Sequence, residues 1–254
     1  MTHVLAIANQ KGGVGKTTTS VNLAASLAKM NRRVLLIDLD PQGNATMGSG
    51  IDKADLDLSI YDVLLGEASA AESIVNAEAA GYDLLGANAD LTGAEIELTE
   101  MDRREFRLRE ELMAVRVRYD FIVLDCPPAL GLLTLNGLIA ADGVIIPMQC
   151  EYYALEGLTA LMDTISRVSS GLNTKLSIEG IVRTMYDPRN SLSRDVSLQL
   201  IDHFGDTVYR TVVPRNVRLA EAPSYGVPII FYDKYSRGAK AYLALAGEVI
   251  KRHP

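Results

Sequence analysis

The densest run of chemistry-bearing residues is Lys11-Gly12-Gly13-Val14-Gly15-Lys16-Thr17-Thr18. Glycines at this density let successive backbone N–H groups turn inward around an anion. A helical pattern opens directly after them, and the positive end of a helix dipole adds to that field. Lys16 is then placed to reach the β- and γ-phosphates of a nucleotide, and the Thr17 hydroxyl suits Mg2+. The pattern G-x-x-x-x-G-K-[ST] is met except at its first glycine, where Gln10 stands, and a second lysine, Lys11, occupies the loop entrance. Two other readings stay open on these letters. The dinucleotide fingerprint G-x-G-x-x-G begins at Gly13 and Gly15 but meets Thr18 where its third glycine belongs, while Asp38 sits where a ribose-binding acid would lie. The Lys16-Thr17 pair has little use in that reading. The last is a glycine-rich turn with no ligand.

Two acidic strand ends follow. In Val34–Asp38 and the turn after it, Asp38 and Asp40 are two apart and point the same way along an extended chain. One carboxylate can hold the water shell of Mg2+ while the other, Asp40, orients an attacking water. Both are also readable as turn acids beside Pro41. Phe121-Ile122-Val123-Leu124-Asp125 is four apolar residues and then an acid, the Walker B arrangement, with Asp125 near the metal. Many buried strands end in Asp, so this assignment leans on the phosphate loop. Thr17, Asp38 and Asp125 are the metal-side candidates.

Elements of a particular kind must position these groups. Val4–Asn9, Val34–Asp38, Tyr82–Gly86, Phe121–Asp125, Val144–Met148, Ser177–Thr184 and Val208–Val213 read as strands. Most are nearly continuous apolar runs, as expected of strands covered on both faces. Helical patterns lie between them at Lys16–Met30, Phe106–Val117, Leu155–Val168, Ser191–Phe204 and Ala239–Lys251. This alternation predicts an α/β fold with a mostly parallel twisted sheet flanked by helices. With no repeat, low-complexity tract or linker in view, a single domain over residues 1–254 is expected. Gly48–Asp57 is polar and irregular, and reads as a mobile loop.

Composition narrows the class. The 254 residues are 48% hydrophobic and 22% charged, which excludes a disordered chain. The apolar stretches fall short of the ~18 residues of a membrane span. Met1-Thr2-His3-Val4 has no basic region ahead of an apolar core, and two cysteines make no disulfide framework, so a reducing cytoplasm is expected. Net charge is −7, yet residues 183–254 carry 11 Lys/Arg against 7 Asp/Glu, while residues 1–182 carry 14 against 25. Fields are local at a Debye length of ~10 Å, so an acidic body can still present an anion-binding face. Arg189, Arg194, Arg215, Arg218, Lys234, Arg237 and Lys240 belong to that basic third, though each alone reads as a solvated charge.

The K-G-G-V-G-K-T string at Lys11–Thr17 resembles the deviant Walker A motif of the ParA/MinD ATPase family. Asp38–Asn44 and Asp125–Pro128 resemble that family's D-x-D-P-Q-G-N and D-x-P-P switches. Similarity extends through Val212–Arg218 and Glu221–Gly226, covers nearly the whole chain, and points to the ParA (Soj-like) chromosome-partitioning branch. The resemblance implies a P-loop NTPase domain and a slow, Mg2+-dependent ATPase that works as a homodimer on ATP. It implies catalytic roles for Lys11, Lys16 and Asp40, with Lys11 reaching the partner's ATP. Nucleotide contacts are implied from Lys11, Gly12, Gly13, Val14, Gly15, Lys16, Thr17 and Thr18, with Pro214 and Asn216 by the adenine. The switches are expected to rearrange when the γ-phosphate is lost. Arg189 and Arg218 match positions that bind nonspecific double-stranded DNA in Soj-like proteins, and Arg215, Lys234, Arg237 and Lys240 join them as candidates. A ParB-type partner and a nucleoid location follow from the same resemblance. No N-K-x-D string marks a guanine site, which favours ATP, and no helix-turn-helix candidate precedes the first strand. Three other readings stand beside this one: a MinD-like membrane ATPase, for which no stable membrane association is expected, an iron–sulfur reductase related to nitrogenase iron protein, and a ParA-like ATPase with a different cargo.

Overall fold

The continuous apolar runs become strands covered on both faces. Eight strands are present among the described residues, 1–151 and 154–253 of the computed structural model. They are β1 (His3–Ile7), β2 (Val34–Asp38), β3 (Val75–Ala77), β4 (Tyr82–Leu85), β5 (Phe121–Asp125), β6 (Gly143–Gln149), β7 (Ser177–Tyr186) and β8 (Val208–Pro214). They form one sheet in the order β3-β4-β2-β5-β1-β6-β7-β8. All neighbours are parallel except β3, which runs antiparallel to β4. Side chains alternate between faces: Val4, Ala6 and Leu35 enter one buried cluster, and Leu5, Ile7 and Leu36 the other.

The helices are α1 (Lys16–Lys29), α2 (Asn44–Gly48), α3 (Ile60–Leu65), α4 (Ala70–Ser73), α5 (Leu91–Thr99) and α6 (Arg107–Val115). After them come α7 (Leu132–Ala140), α8 (Ala154–Gly171), α9 (Ser191–Phe204), α10 (Val217–Glu221), α11 (Ile229–Tyr232) and α12 (Arg237–Arg252). Helix α12 packs its apolar side, through Tyr242, Leu245 and Val249, with the cluster that holds α1. Among the described residues no helix is long and apolar enough to cross a membrane.

Strand β8 ends the sheet, and its outward N–H groups need partners. Glu248 of α12 supplies them: its carboxylate accepts from Arg210 N at 2.9 Å and Thr211 N at 2.8 Å. Arg183 of β7, buried, donates to the carbonyls of Tyr209 and Arg210 at 2.8 and 3.1 Å. The end of the sheet is therefore tied to its own helix and to its neighbouring strand.

The structure corrects one expectation in particular. The stretch 48–57 is partly regular rather than wholly irregular, though most of it is exposed or half-buried. Helix α2 runs to Gly48, Lys53–Asp55 forms a 3-10 turn, and Asp52 caps that turn through Ala54 N. Gly50, at φ +83°, lies so close to Gly226 that an added Cβ would sit 2.7 Å from the Gly226 carbonyl oxygen. Both the left-handed backbone and the contact require glycine there. Strand β3 and helices α2, α3, α4, α5, α7, α10 and α11 were not expected. Gly50→Ala should therefore cost about 1–3 kcal/mol of unfolding free energy. Urea denaturation followed by circular dichroism measures it, and an unchanged midpoint would refute the packing argument.

Candidate nucleotide site

The site lies at the carboxyl ends of the strands, where open α/β sheets bind ligands. Strand β1 runs between β5 and β6 and releases the chain into the glycine loop. Two anchors hold that loop: Asn9 Nδ2 donates to the Pro147 carbonyl at 2.8 Å, and Thr184 Oγ1 of β7 donates to the Val14 carbonyl at 2.7 Å. Val14 buries its side chain as a plug, while Lys11, Gly12 and Gly13 are exposed. Gly15, at φ +89°, opens α1 with no side-chain cap, so the first N–H groups of that helix face the loop. A Cβ built at Gly12 or Gly13 would meet nothing within 4 Å, which leaves an open cradle above the loop.

Lys16 is buried, and its Nζ arches back to the Lys11 carbonyl at 3.2 Å. Burial lowers its pKa, and Asp125 and Asp40 oppose that shift. Lys11 Nζ pairs with Glu151 at 2.7 Å in a half-exposed ion pair. No motif flagged Glu151, which follows β6 in a turn.

Asp38 and Asp125 end the adjacent strands β2 and β5 in direct register, and both are 0% exposed. Asp125 Oδ1 accepts from Ser20 of α1 at 2.8 Å, while its Oδ2 is buried without a partner among the described residues. Asp38 is more occupied. Its Oδ1 accepts from Asp40 N at 3.1 Å, and its Oδ2 from Thr46 N and Oγ1 at 2.8 and 2.9 Å. A carboxylate offers about four acceptor positions, so Asp38 keeps roughly one in reserve. Burial pushes both pKa values up, and for Asp125 the neighbouring Asp38 charge adds to it; the hydrogen bonds from Thr46 and Ser20, and the nearness of the Thr17 hydroxyl, only partly offset the desolvation. Asp40 is half-buried and accepts from Gln42 N at 3.0 Å in its own turn.

The donors fit a nucleotide with its cation. An orphaned buried carboxylate oxygen, a hydroxyl at Thr17 and an open amide cradle supply complementary halves of such a site. Among the described residues no group of three or more His, Cys, Asp or Glu gathers into a metal cage. A hard cation here would take its other oxygens from phosphate and water, as Mg2+ commonly does.

Beside the loop lies a pocket of about 170 Å3 that holds both Pro214 and Asn216 among its walls, together with Gly15, Thr18, Thr184 and Leu219. Asn216 Oδ1 caps α10 through Leu219 N at 3.3 Å. Met185 lines the same pocket at φ +48°, a strained conformation for a non-glycine residue, which sequence reasoning missed. Arg215 also lines this pocket, so it belongs to the nucleotide side as much as to the basic third.

The other basic candidates are exposed. Arg189 forms a two-pronged pair with Asp187, and Arg218 pairs with Glu221 at 2.8 Å. Lys234, Arg237 and Lys240 are exposed around the start of α12, with Lys234 5.0 Å from the ring of Tyr235. Both cysteines are buried, and burial pushes the Cys150 thiol up to about 11 and the Cys126 thiol higher still. Neutral buried thiols do not suit a cluster bridging two subunits. The apolar side of α12 is buried, so this helix presents no lipid-facing side of its own.

A parallel sheet with an amide cradle after β1 and acids after β2 and β5 defines a P-loop NTPase fold. A family profile described as an AAA domain matches residues 2–178. The chromosome partitioning protein ParA of Caulobacter vibrioides is 55% identical over 252 residues, covering 98% of this chain and 94% of that protein. The sporulation initiation inhibitor protein Soj of Bacillus subtilis is 55% identical over 249 residues, covering 98% of each. A Mycobacterium smegmatis structure described as cobyrinic acid a,c-diamide synthase with bound ADP and magnesium superposes with a TM-score of 0.87 at 41% identity, covering 99% of this chain and 95% of that one. The chain belongs to the ParA/Soj family of partitioning ATPases.

The paired acids generate a pH signature. In the folded, nucleotide-free chain both pKa values are raised, so the native state holds more protons than the unfolded one above pH ~4. Stability should fall as pH rises from there into the neutral range. Asp125→Asn removes one of the two acids, so its melting temperature at pH 8 should exceed that of the parent and the slope should flatten. Thermal melts between pH 5 and 8 without nucleotide measure this, and parallel slopes would contradict it.

Proposed function

We propose that this chain is an Mg2+-dependent ATPase that acts as a molecular switch, dimerises on ATP, binds nonspecific double-stranded DNA and drives chromosome or plasmid partitioning with a ParB-type partner. The observation that carries the reading is the cradle. Open space over Gly12 and Gly13, a buried Lys16 and an orphaned Asp125 oxygen lie beside a pocket of about 170 Å3.

In this reading the amides of Gly12, Gly13, Val14 and Gly15 hold the phosphates, Lys16 neutralises the β- and γ-oxygens, and Thr18 closes the cradle toward the base pocket. Pro214 and Asn216 flank the adenine. Thr17 and Asp125 hold the cation side, and Asp38 uses its remaining acceptor position for the water shell. Mg2+, when bound, spreads the charge that builds on the phosphate oxygens. Asp40 orients a water for attack on the γ-phosphorus, the bond to the β–γ bridging oxygen breaks, and ADP and phosphate leave. Lys11 leaves Glu151 and enters the partner's site in the dimer. The pair it abandons is about half exposed and of the kind worth ~1 kcal/mol or less.

The DNA face is Arg189, Arg218, Lys234, Arg237 and Lys240, with Arg215 between it and the nucleotide. Arg189 and Arg218 exchange Asp187 and Glu221 for phosphates, contacts that need no base readout. Two such faces on one dimer raise the effective concentration, so ATP controls DNA affinity through assembly. The protein works in the cytoplasm, on the nucleoid.

Fluorescence anisotropy with a random duplex under ATP, ADP and no nucleotide tests the switch. ATP-selective binding that weakens steeply with salt is expected, and equal binding in all three states overturns it. Asp40→Ala should keep ATP-dependent DNA binding and lose turnover; wild-type turnover in that variant removes Asp40 from its role. Arg189→Ala with Arg218→Ala should reduce the salt slope by about one unit per lost phosphate contact. An unchanged slope moves the DNA face elsewhere.

A further inference from the structure

Both ends of the loop after β2 converge on one side chain. Asp38 is fully buried at the strand end. Its Oδ1 accepts from Asp40 N at the near end of the loop, and its Oδ2 accepts from Thr46 N and Thr46 Oγ1 at the far end, inside α2. Thr46, also 0% exposed, accepts in turn from Ala87 N at 2.9 Å, just past β4. The Thr46 hydroxyl thus spends its one proton on Asp38 and accepts from Ala87 N, so its donor capacity is fully committed to the strand end. Residues 40–45 form the span between the two fastenings, and Lys53 Nζ holds it from outside through the Gln42 carbonyl at 2.8 Å.

We infer that Thr46 is a positioning residue for hydrolysis: its hydroxyl fastens the far end of the Asp40 loop to Asp38 and to the end of β4, and so sets where the Asp40 carboxylate stands relative to the phosphate cradle. The inference rests on the reading of Asp40 as the water-orienting group. Thr46 touches neither the glycine loop nor the pocket that holds Pro214 and Asn216. Its loss therefore leaves nucleotide capture intact and acts on the chemical step. The choice of threonine over serine has a smaller reason: a Cβ built at Gly86 would lie 3.1 Å from the Thr46 methyl, so the methyl fills the space over that glycine.

Thr46→Ala removes the hydroxyl and keeps the backbone N–H bond to Asp38. Thr46→Cys keeps the volume without a strong hydrogen bond, and Thr46→Ser restores the hydroxyl. Expected for both Ala and Cys is a fall in kcat of about 10- to 100-fold, the scale of a misplacement near 1 Å. The KM for ATP and the affinity for a fluorescent ADP analogue should stay within about threefold of wild type. Amide exchange at residues 40–45, read without nucleotide, should quicken. Thr46→Ser should recover kcat to within about threefold, since only a methyl is missing. Wild-type kcat in Thr46→Ala or Thr46→Cys overturns the inference. So does a Thr46→Ser chain as slow as the others, or a loss of ADP affinity that matches the loss of kcat. Two variants of different volume keep the comparison intact if one fails to fold. A wild-type chain that does not hydrolyse ATP overturns the functional reading instead, and the exchange rates then decide by themselves whether Thr46 fastens the loop.

Discussion

Two carboxylates held side by side out of water set the terms for everything around them. Parallel pairing of β2 with β5 puts Asp38 directly opposite Asp125, and the covered sheet leaves neither any solvent. Desolvation wins over every hydrogen bond they receive, so both resist ionisation. The nearest cation, Lys16, is itself buried and weakened by that burial. A weakened cation beside two carboxyls that resist ionisation is an incomplete match. Removing both acids would remove the strain, but it would also remove the anchor points of α1, through Ser20, and of α2, through Thr46. The same unbalanced charge that costs stability is what organises the strand ends around the glycine loop.

From that centre, short covalent and hydrogen-bonded routes lead to the basic third. Thr184 grips the glycine loop through Val14, and Asp187, which holds Arg189, is three residues further along the same chain. Asn22 of α1 accepts from Ile229 N at 2.7 Å, tying the helix behind the phosphate cradle to α11 just ahead of Lys234. Just past α2, the Gly50–Gly226 contact reaches the segment after Arg218. These contacts link the phosphate cradle to the basic third through close-packed neighbours rather than through solvent.

The strands and the strand-end acids were legible because burial on both faces writes an unbroken apolar run, and β2 and β5 are such runs ending in Asp. The glycine loop was legible because spacing carries its chemistry. What escaped notice lacked a local signal or was short. Helix α7 is apolar nearly all round and shows no polar face to mark its period. Strand β3 has only three residues. The capping boxes Ser59–Asp62 and Ser69–Glu72 are the one local mark that α3 and α4 carry in the sequence. Glu151 against Lys11, Glu248 against β8 and Gly50 against Gly226 are contacts between residues far apart in sequence, and spacing along the chain holds no trace of them.

The carboxylate of Glu248 has a consequence for assembly. An open sheet margin is a template on which a second molecule can add its own strand, then a third, without limit. At Arg210 and Thr211 that template is stoppered by the molecule's own terminal helix, and the opposite margin offers only the three residues of β3. The amides of Arg210 and Thr211 are thus satisfied within the molecule and are not offered to a strand of a second copy.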